Sequence, residues 1–169
     1  PCLQAVDGPI EISRLGLGTW AWGNEKWGYR SFDQSYDERS LREVLPCAAQ
    51  LGVRLVDTAA TYGRHSFAEA LLGEERPNAG PPIVIATKYF PRPRDRDVSA
   101  AMLASAHQSQ QRLGTIDLFQ IHAPVHPSAS LEEQADGLAS VVHEGLARAV
   151  GVCNFSLAEL RRVHTRLAQ

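Results

Sequence analysis

Three apolar runs in this chain, at 53–56, 83–86 and 116–121, each end in residues able to do acid–base chemistry. Asp57 closes the first, with Tyr62 five residues on; Lys88 ends the second and His122 the third. A phenol, with an ordinary pKa of about 10, is a poor acid near neutral pH unless a neighbour tunes it. A nearby ammonium favours the phenolate, and a carboxylate keeps that ammonium charged and in place. An imidazole beside them donates a hydrogen bond to a substrate oxygen. The four types together suit proton delivery to a developing alkoxide. Taken singly, each has a plainer reading: Asp57 as the cap of the following helix, Tyr62 as a half-buried aromatic.

The elements that must position these residues follow from the hydrophobic pattern. Short apolar runs broken by polar residues and glycine read as buried strands. A glycine-rich first strand spans 14–20, and a fifth spans 147–155. Helical spacing follows each strand, over 37–51, 66–72, 98–113, 131–143 and 157–167. The first helix carries Leu41, Val44, Leu45, Ala48 and Leu51 on one face, with Gly52 as its stop and a kink expected at Pro46. In the second, Ser66 and Glu69 have capping-box spacing and Gly73 is the expected stop. Gly114 and Gly145 stop the next two, and Ser156 caps the last. Residues 1–14, with Asp7-Gly8-Pro9 as a turn, supply an arm of a hairpin across the bottom of a barrel.

Five strands alternate with five helices, which implies parallel, right-handed units of an α/β fold. In such sheets, sites form at the carboxyl ends of the strands, where the four residues fall. A complete eightfold barrel takes roughly 250 residues, so residues 1–169 read as one partial barrel domain holding its first five-eighths. Residues 21–36, with Trp22, Trp27, Tyr29, Phe32 and Tyr36, read as a pocket-wall insertion or as a surface loop anchored by its own aromatics. Segment 76–82 is a Pro/Gly loop. Arg92, Arg94 and Arg96 in 89–97 read as a solvated loop, although they would also attract a phosphate. His126 follows its strand instead of ending it, and is assigned no role.

Composition narrows the classes further. At 169 residues, 44% hydrophobic, 21% charged and a net charge of −2, the chain is of ordinary globular type. Its near-neutral balance gives no sign of a nucleic-acid or anionic-membrane partner, and no apolar run approaches a membrane span. Cys2, Cys47 and Cys153 lack metal-ligand spacing, so no metal is expected; an odd number fits free thiols in a reducing compartment. The chain begins at Pro1, and any targeting segment is expected to be already absent.

Beyond these physical readings, the sequence resembles the aldo-keto reductases from about Leu15 to its end. The resemblance rests on Asp57-Thr58-Ala59-Ala60-Thr61-Tyr62-Gly63, on Thr87-Lys88, on Gly18-Thr19-Trp20 and on Gly151-Val152-Cys153-Asn154-Phe155. It implies a parallel (β/α)8 barrel of TIM type, incomplete, with about five of its eight βα units present. It implies reduction of an aldehyde or ketone with NADP(H), Tyr62 being proton donor, Lys88 tuning cation, Asp57 its orienting partner and His122 the group that polarises the carbonyl. Thr19 and Trp20 would lie near the nicotinamide ribose and substrate pocket, with Trp22 also in that pocket, and Asp57 would border the cofactor. Asn154 would hold the nicotinamide carboxamide, while Cys153 stands where the family usually has serine and is a weaker donor, its plainer reading being a small buried core residue. The family's nicotinamide-stacking aromatic and phosphate-gripping basic residues belong to its last three βα units. The long first loop is closest to plastid-type and bacterial members, which implies a cytoplasmic or stromal protein. Two roles remain open: a carbonyl reductase, or a non-catalytic subunit whose unpaired barrel edge docks on another chain.

Overall fold

A computed structural model describes residues 1–32, 34–124 and 129–169. His126 of the sequence reading lies outside them. The chain opens with a two-stranded antiparallel hairpin, β1 (Cys2–Leu3) and β2 (Ile10–Glu11). Five parallel strands follow in spatial order β3 (Gly16–Gly18), β4 (Leu55–Asp57), β5 (Val84–Tyr89), β6 (Leu118–Ile121) and β7 (Ala149–Val152). Helices α1 (Glu38–Gln50), α2 (Phe67–Glu75), α3 (Val98–Leu113), α4 (Leu131–His143) and α5 (Leu157–Leu167) alternate with them. Within the parallel sheet, sequential strands are spatial neighbours throughout, the order of a barrel built from successive βα units.

Helices form where apolar spacing meets a capping residue. Asp37, Ser130 and Ser156 sit in extended backbone, and their side chains accept from the third residue of α1, α4 and α5. In each case that residue's side chain also accepts from the cap's backbone N–H, which closes a capping box. Helix α1 continues through Pro46 to Gln50.

Helix α2 departs from the sequence reading in two ways. Ser66 has a left-handed backbone (φ 59°) and does not cap with its side chain; its hydroxyl donates to the Ala60 carbonyl at 2.8 Å instead. An N-cap needs extended backbone, and here the loop carrying Tyr62 turns through left-handed His65 and Ser66 to enter the helix. Nor does Gly73 end α2, which runs on to Glu75. A Cβ on Gly73 would meet the Arg112 carbonyl oxygen at 1.7 Å, so the glycine is set by the close approach of α3.

The core lies between the sheet and the helices. Val56, Ile85, Phe119 and Ile121 of the strands are fully buried against Leu41, Leu45, Leu72, Met102, Leu138 and Val141 of α1–α4. Each such side chain contributes about 1.5–3 kcal/mol relative to leaving it in water. This sandwich fixes the strands, and so the residues at their ends.

The hairpin meets the N-terminal ends of the strands. Asp7 pairs with Arg148 at 2.9 Å, and the Val6 N–H donates to the Arg148 carbonyl. Ser13 Oγ accepts from the backbone N–H groups of Arg54 and Leu55, at the start of β4. The opposite end of the sheet is left for the loops.

Candidate active site

Lys88 lies next to the last residue of β5 and is 3% exposed. An ammonium so deep must be compensated by partners, and three are present. Its Nζ lies 2.7 and 2.8 Å from the two carboxylate oxygens of Asp57, at the end of β4. It donates to the Thr58 carbonyl at 2.8 Å and to the Tyr62 hydroxyl oxygen at 3.4 Å. The Asp57 side chain is 45% exposed, so the carboxylate that pairs with the buried cation also reaches solvent.

Tyr62 is held by its backbone: its N–H donates to the Ala59 carbonyl, and its carbonyl accepts from the Ala68 N–H. Gly63, next along, has φ +70°, and a Cβ there would lie 2.8 Å from the Trp22 carbonyl oxygen. Glycine is therefore required beside the tyrosine. His122, directly after β6, stands edge-on to the Tyr62 ring on one side and to Phe90 on the other, both at 5.6 Å between centroids. Burial lowers the His122 pKa below 6.5, and the Lys88 charge lowers it further. At neutral pH the imidazole is uncharged and donates through one ring nitrogen only.

Tyr62 and His122 line a cleft of about 340 Å³ with Trp20, Asn24, Thr61 and Phe90. A larger cleft of about 840 Å³, beside Val6, Arg148 and α4, contains none of the four ionisable residues. In the smaller one a phenol and a neutral imidazole face the same space, with a buried ammonium behind the phenol. Lysine donates and never accepts. The phenol oxygen therefore accepts from Lys88, and its own O–H is directed elsewhere.

The remaining residues singled out in the sequence fall in two groups. Trp20 is 52% exposed and lines the cleft, its ring 4.3 Å from that of Trp27. Asn154 has a left-handed backbone (φ 60°) and donates from Nδ2 to the His122 carbonyl at 2.9 Å and to Cys153 Sγ at 3.3 Å. By contrast, Thr19 is fully buried and donates its hydroxyl to the Asp57 carbonyl at 3.1 Å, bracing the backbone of β4. Trp22 is 5% exposed and belongs to the core, so in its loop Asn24, not Trp22, reaches the cleft. Tyr29 of that loop packs against Tyr36 and against Phe67 of α2.

The Thr58 carbonyl, the third partner of Lys88, was not foreseeable from residue types, since a backbone acceptor has no residue signature. Phe90 followed the Lys88 strand in plain view, but its contact with His122 comes from the pairing of β5 with β6.

The aldo/keto reductase family model matches residues 14–168. An uncharacterized oxidoreductase of Mycobacterium tuberculosis is 36% identical over 165 residues, which cover 97% of this chain and 49% of that protein. The chloroplastic pyridoxal reductase of Arabidopsis thaliana is 34% identical, covering 99% of this chain and 48% of its own length. A solved structure of a Bombyx mori aldo-keto reductase in complex with NADP aligns with a TM-score of 0.73 at 26% identity, over 98% of this chain and 54% of that one. The chain belongs to the aldo/keto reductase family, and its five parallel βα units are part of that family's barrel. It spans about half the length of the curated relatives it matches. None of them supports the docking-subunit reading. No helix among the described residues is long and apolar enough to cross a membrane.

Proposed function

We propose that this chain carries the proton-transfer half of a carbonyl reductase that converts an aldehyde or ketone to an alcohol with NADP(H). One observation carries the reading: a single buried ammonium holds the Asp57 carboxylate, the Thr58 carbonyl and the Tyr62 hydroxyl, while Tyr62 and His122 face one cleft. Tyr62 is the acid. Lys88 occupies a lone pair of the phenol oxygen, so the O–H points toward a substrate oxygen in the cleft. The ammonium favours negative charge on the phenol oxygen as the proton leaves. Asp57 anchors Lys88 through both carboxylate oxygens. Neutral His122 donates to the same substrate oxygen and orients it.

A nicotinamide dinucleotide supplies the hydride when bound. The residues fit its carboxamide end: Asn154 directs Nδ2 to the His122 carbonyl and to Cys153 Sγ, which leaves Oδ1 to accept from an amide. Cys153 Sγ takes that contact as acceptor. Trp20 offers a half-exposed indole beside the cleft.

The test is Tyr62→Phe, with NADPH consumption followed on a panel of aldehydes. The expected result is a kcat lower by about 10²–10⁴-fold with the melting temperature unchanged. A variant that keeps the wild-type kcat would remove Tyr62 from the reaction and the proposal with it.

A further inference from the structure

Outside the cleft, Glu69 is a carboxylate with no solvent exposure, in the first turn of α2. A buried carboxylate needs hydrogen-bonded partners. Its partners are the Thr87 hydroxyl, donating to Oε1 at 2.5 Å, and Arg112 Nε of α3, donating to Oε2 at 2.7 Å. Thr87 is itself fully buried and directly precedes Lys88 in β5. Glu69 directly follows Ala68, whose N–H donates to the Tyr62 carbonyl at 3.2 Å.

These contacts close a ring. From the Tyr62 hydroxyl it passes to Lys88, to Thr87 through the peptide bond, across to Glu69, to Ala68, and back to the Tyr62 carbonyl. Its far side is closed by the side-chain link between Glu69 and Thr87. A second tie runs through Ala60, whose N–H donates to the Lys88 carbonyl and whose carbonyl accepts from the Ser66 hydroxyl. The helix that anchors the phenol is thus fastened to the strand that carries the ammonium, at the residue beside each.

We propose that Glu69 is a positioning residue of the proton-transfer site, acting through Thr87 to set the separation of Lys88 and Tyr62. The inference rests on the proton-donor role assigned to Tyr62 above. Arg112 serves a different end. It pairs with Glu69 and joins α2 to α3, its hydrogen bond and ion pair both going to Glu69. Stability and positioning are therefore carried by different partners of one carboxylate, and they can be separated.

Thr87→Val removes the hydroxyl at nearly constant shape, Thr87→Ser keeps it, and Arg112→Met breaks the other arm. Two readouts are taken well below each variant's melting temperature: the 13Cζ resonance of Tyr62, assigned by its loss in Tyr62→Phe, and steady-state kinetics. In Thr87→Val the Tyr62 resonance is expected to move, and kcat to fall about tenfold or more with the carbonyl KM within about twofold, as misplacement of a reacting group by a fraction of an ångström would give. Thr87→Ser restores both. Arg112→Met lowers the melting temperature and leaves both in place. A Tyr62 resonance unmoved by Thr87→Val, or moved equally by Arg112→Met, overturns the proposal whether or not the protein turns over. Absence of carbonyl reduction in the wild type would count against the reductase reading alone, because the resonance still decides the brace.

Discussion

At the N-terminal end of the sheet, Asp117 accepts from the Ile85 N–H at 2.8 Å and from Arg148 at 3.2 Å, with Arg76 at 3.6 Å. At the C-terminal end, Asp57 accepts from Lys88. Both are carboxylates paired with cations, yet the burial is reversed. At the bottom the carboxylate is buried, 8% exposed, and the arginines reach water. At the top the cation is buried, 4% exposed, and the carboxylate is 45% exposed. A saturated carboxylate whose partners come from three segments pins those segments together. A buried ammonium that gives one contact to a phenol lining a cleft keeps its charge beside that cleft. Pairing alone therefore does not mark a site; what each partner faces does.

Lys88→Met would break the comparison at its upper end and has the largest expected effect. Removing the cation takes away the group that favours charge on the phenol oxygen, and kcat is expected to fall about 10³-fold. Methionine fills the buried stem without introducing a new buried charge, but it leaves the Thr58 carbonyl buried without its donor, so urea unfolding should show a loss of about 1–3 kcal/mol. A large stability loss with kcat intact would make Lys88 the equivalent of the lower pair.

Asp117→Ala is the converse change. Arg76 and Arg148 turn toward water, but the Ile85 N–H is left buried without its acceptor, a cost of about 2 kcal/mol measurable by urea unfolding. The kcat of the folded fraction should match the wild type. Loss of kcat in the folded fraction would mean that the lower pair also shapes the upper site.

The pH dependence of His122 sharpens the comparison by the smallest effect. Its folded pKa is depressed below 6.5, first by burial and then by Lys88. Its contribution to stability is therefore full above 6.5 and is lost as pH falls through the folded value. The same titration removes the neutral imidazole, so kcat/KM should decline on the acid side over that window. Proton NMR of the ring should place its midpoint below 6.5. A midpoint above that would mean a cation–carboxylate pairing with Asp57 outweighs burial.

Much of the fold was legible because its signals are local. The expected helices at 98–113, 131–143 and 157–167 coincide with α3, α4 and α5, with Gly114 directly after α3 and Ser156 capping α5 as the local pattern has them. The strand-end positions of Asp57, Lys88 and His122 were legible for the same reason: an apolar run terminates at a polar residue. Failure came where a residue answered to a distant neighbour. Ser66 and Glu69 have capping-box spacing, but the hydroxyl went to Ala60 and the carboxylate to Thr87 and Arg112. Gly73 read as a stop and instead admits the backbone of α3. Trp22, placed in the pocket by its neighbourhood in sequence, is drawn into the core by its apolar surface.

By itself the sequence determined the residue types at the strand ends, the alternation of elements and the family. Those properties need only short-range periodicity and a short motif. Only the tertiary structure decided that one ammonium serves Asp57, Thr58 and Tyr62 at once, that Asn154 donates to the His122 carbonyl, and that Glu69 ties the phenol's helix to the lysine's strand. Those contacts join residues 18–32 positions apart, two of them placing a side chain on a backbone acceptor. Nothing in local pattern encodes them until strand pairing and helix packing bring the partners together.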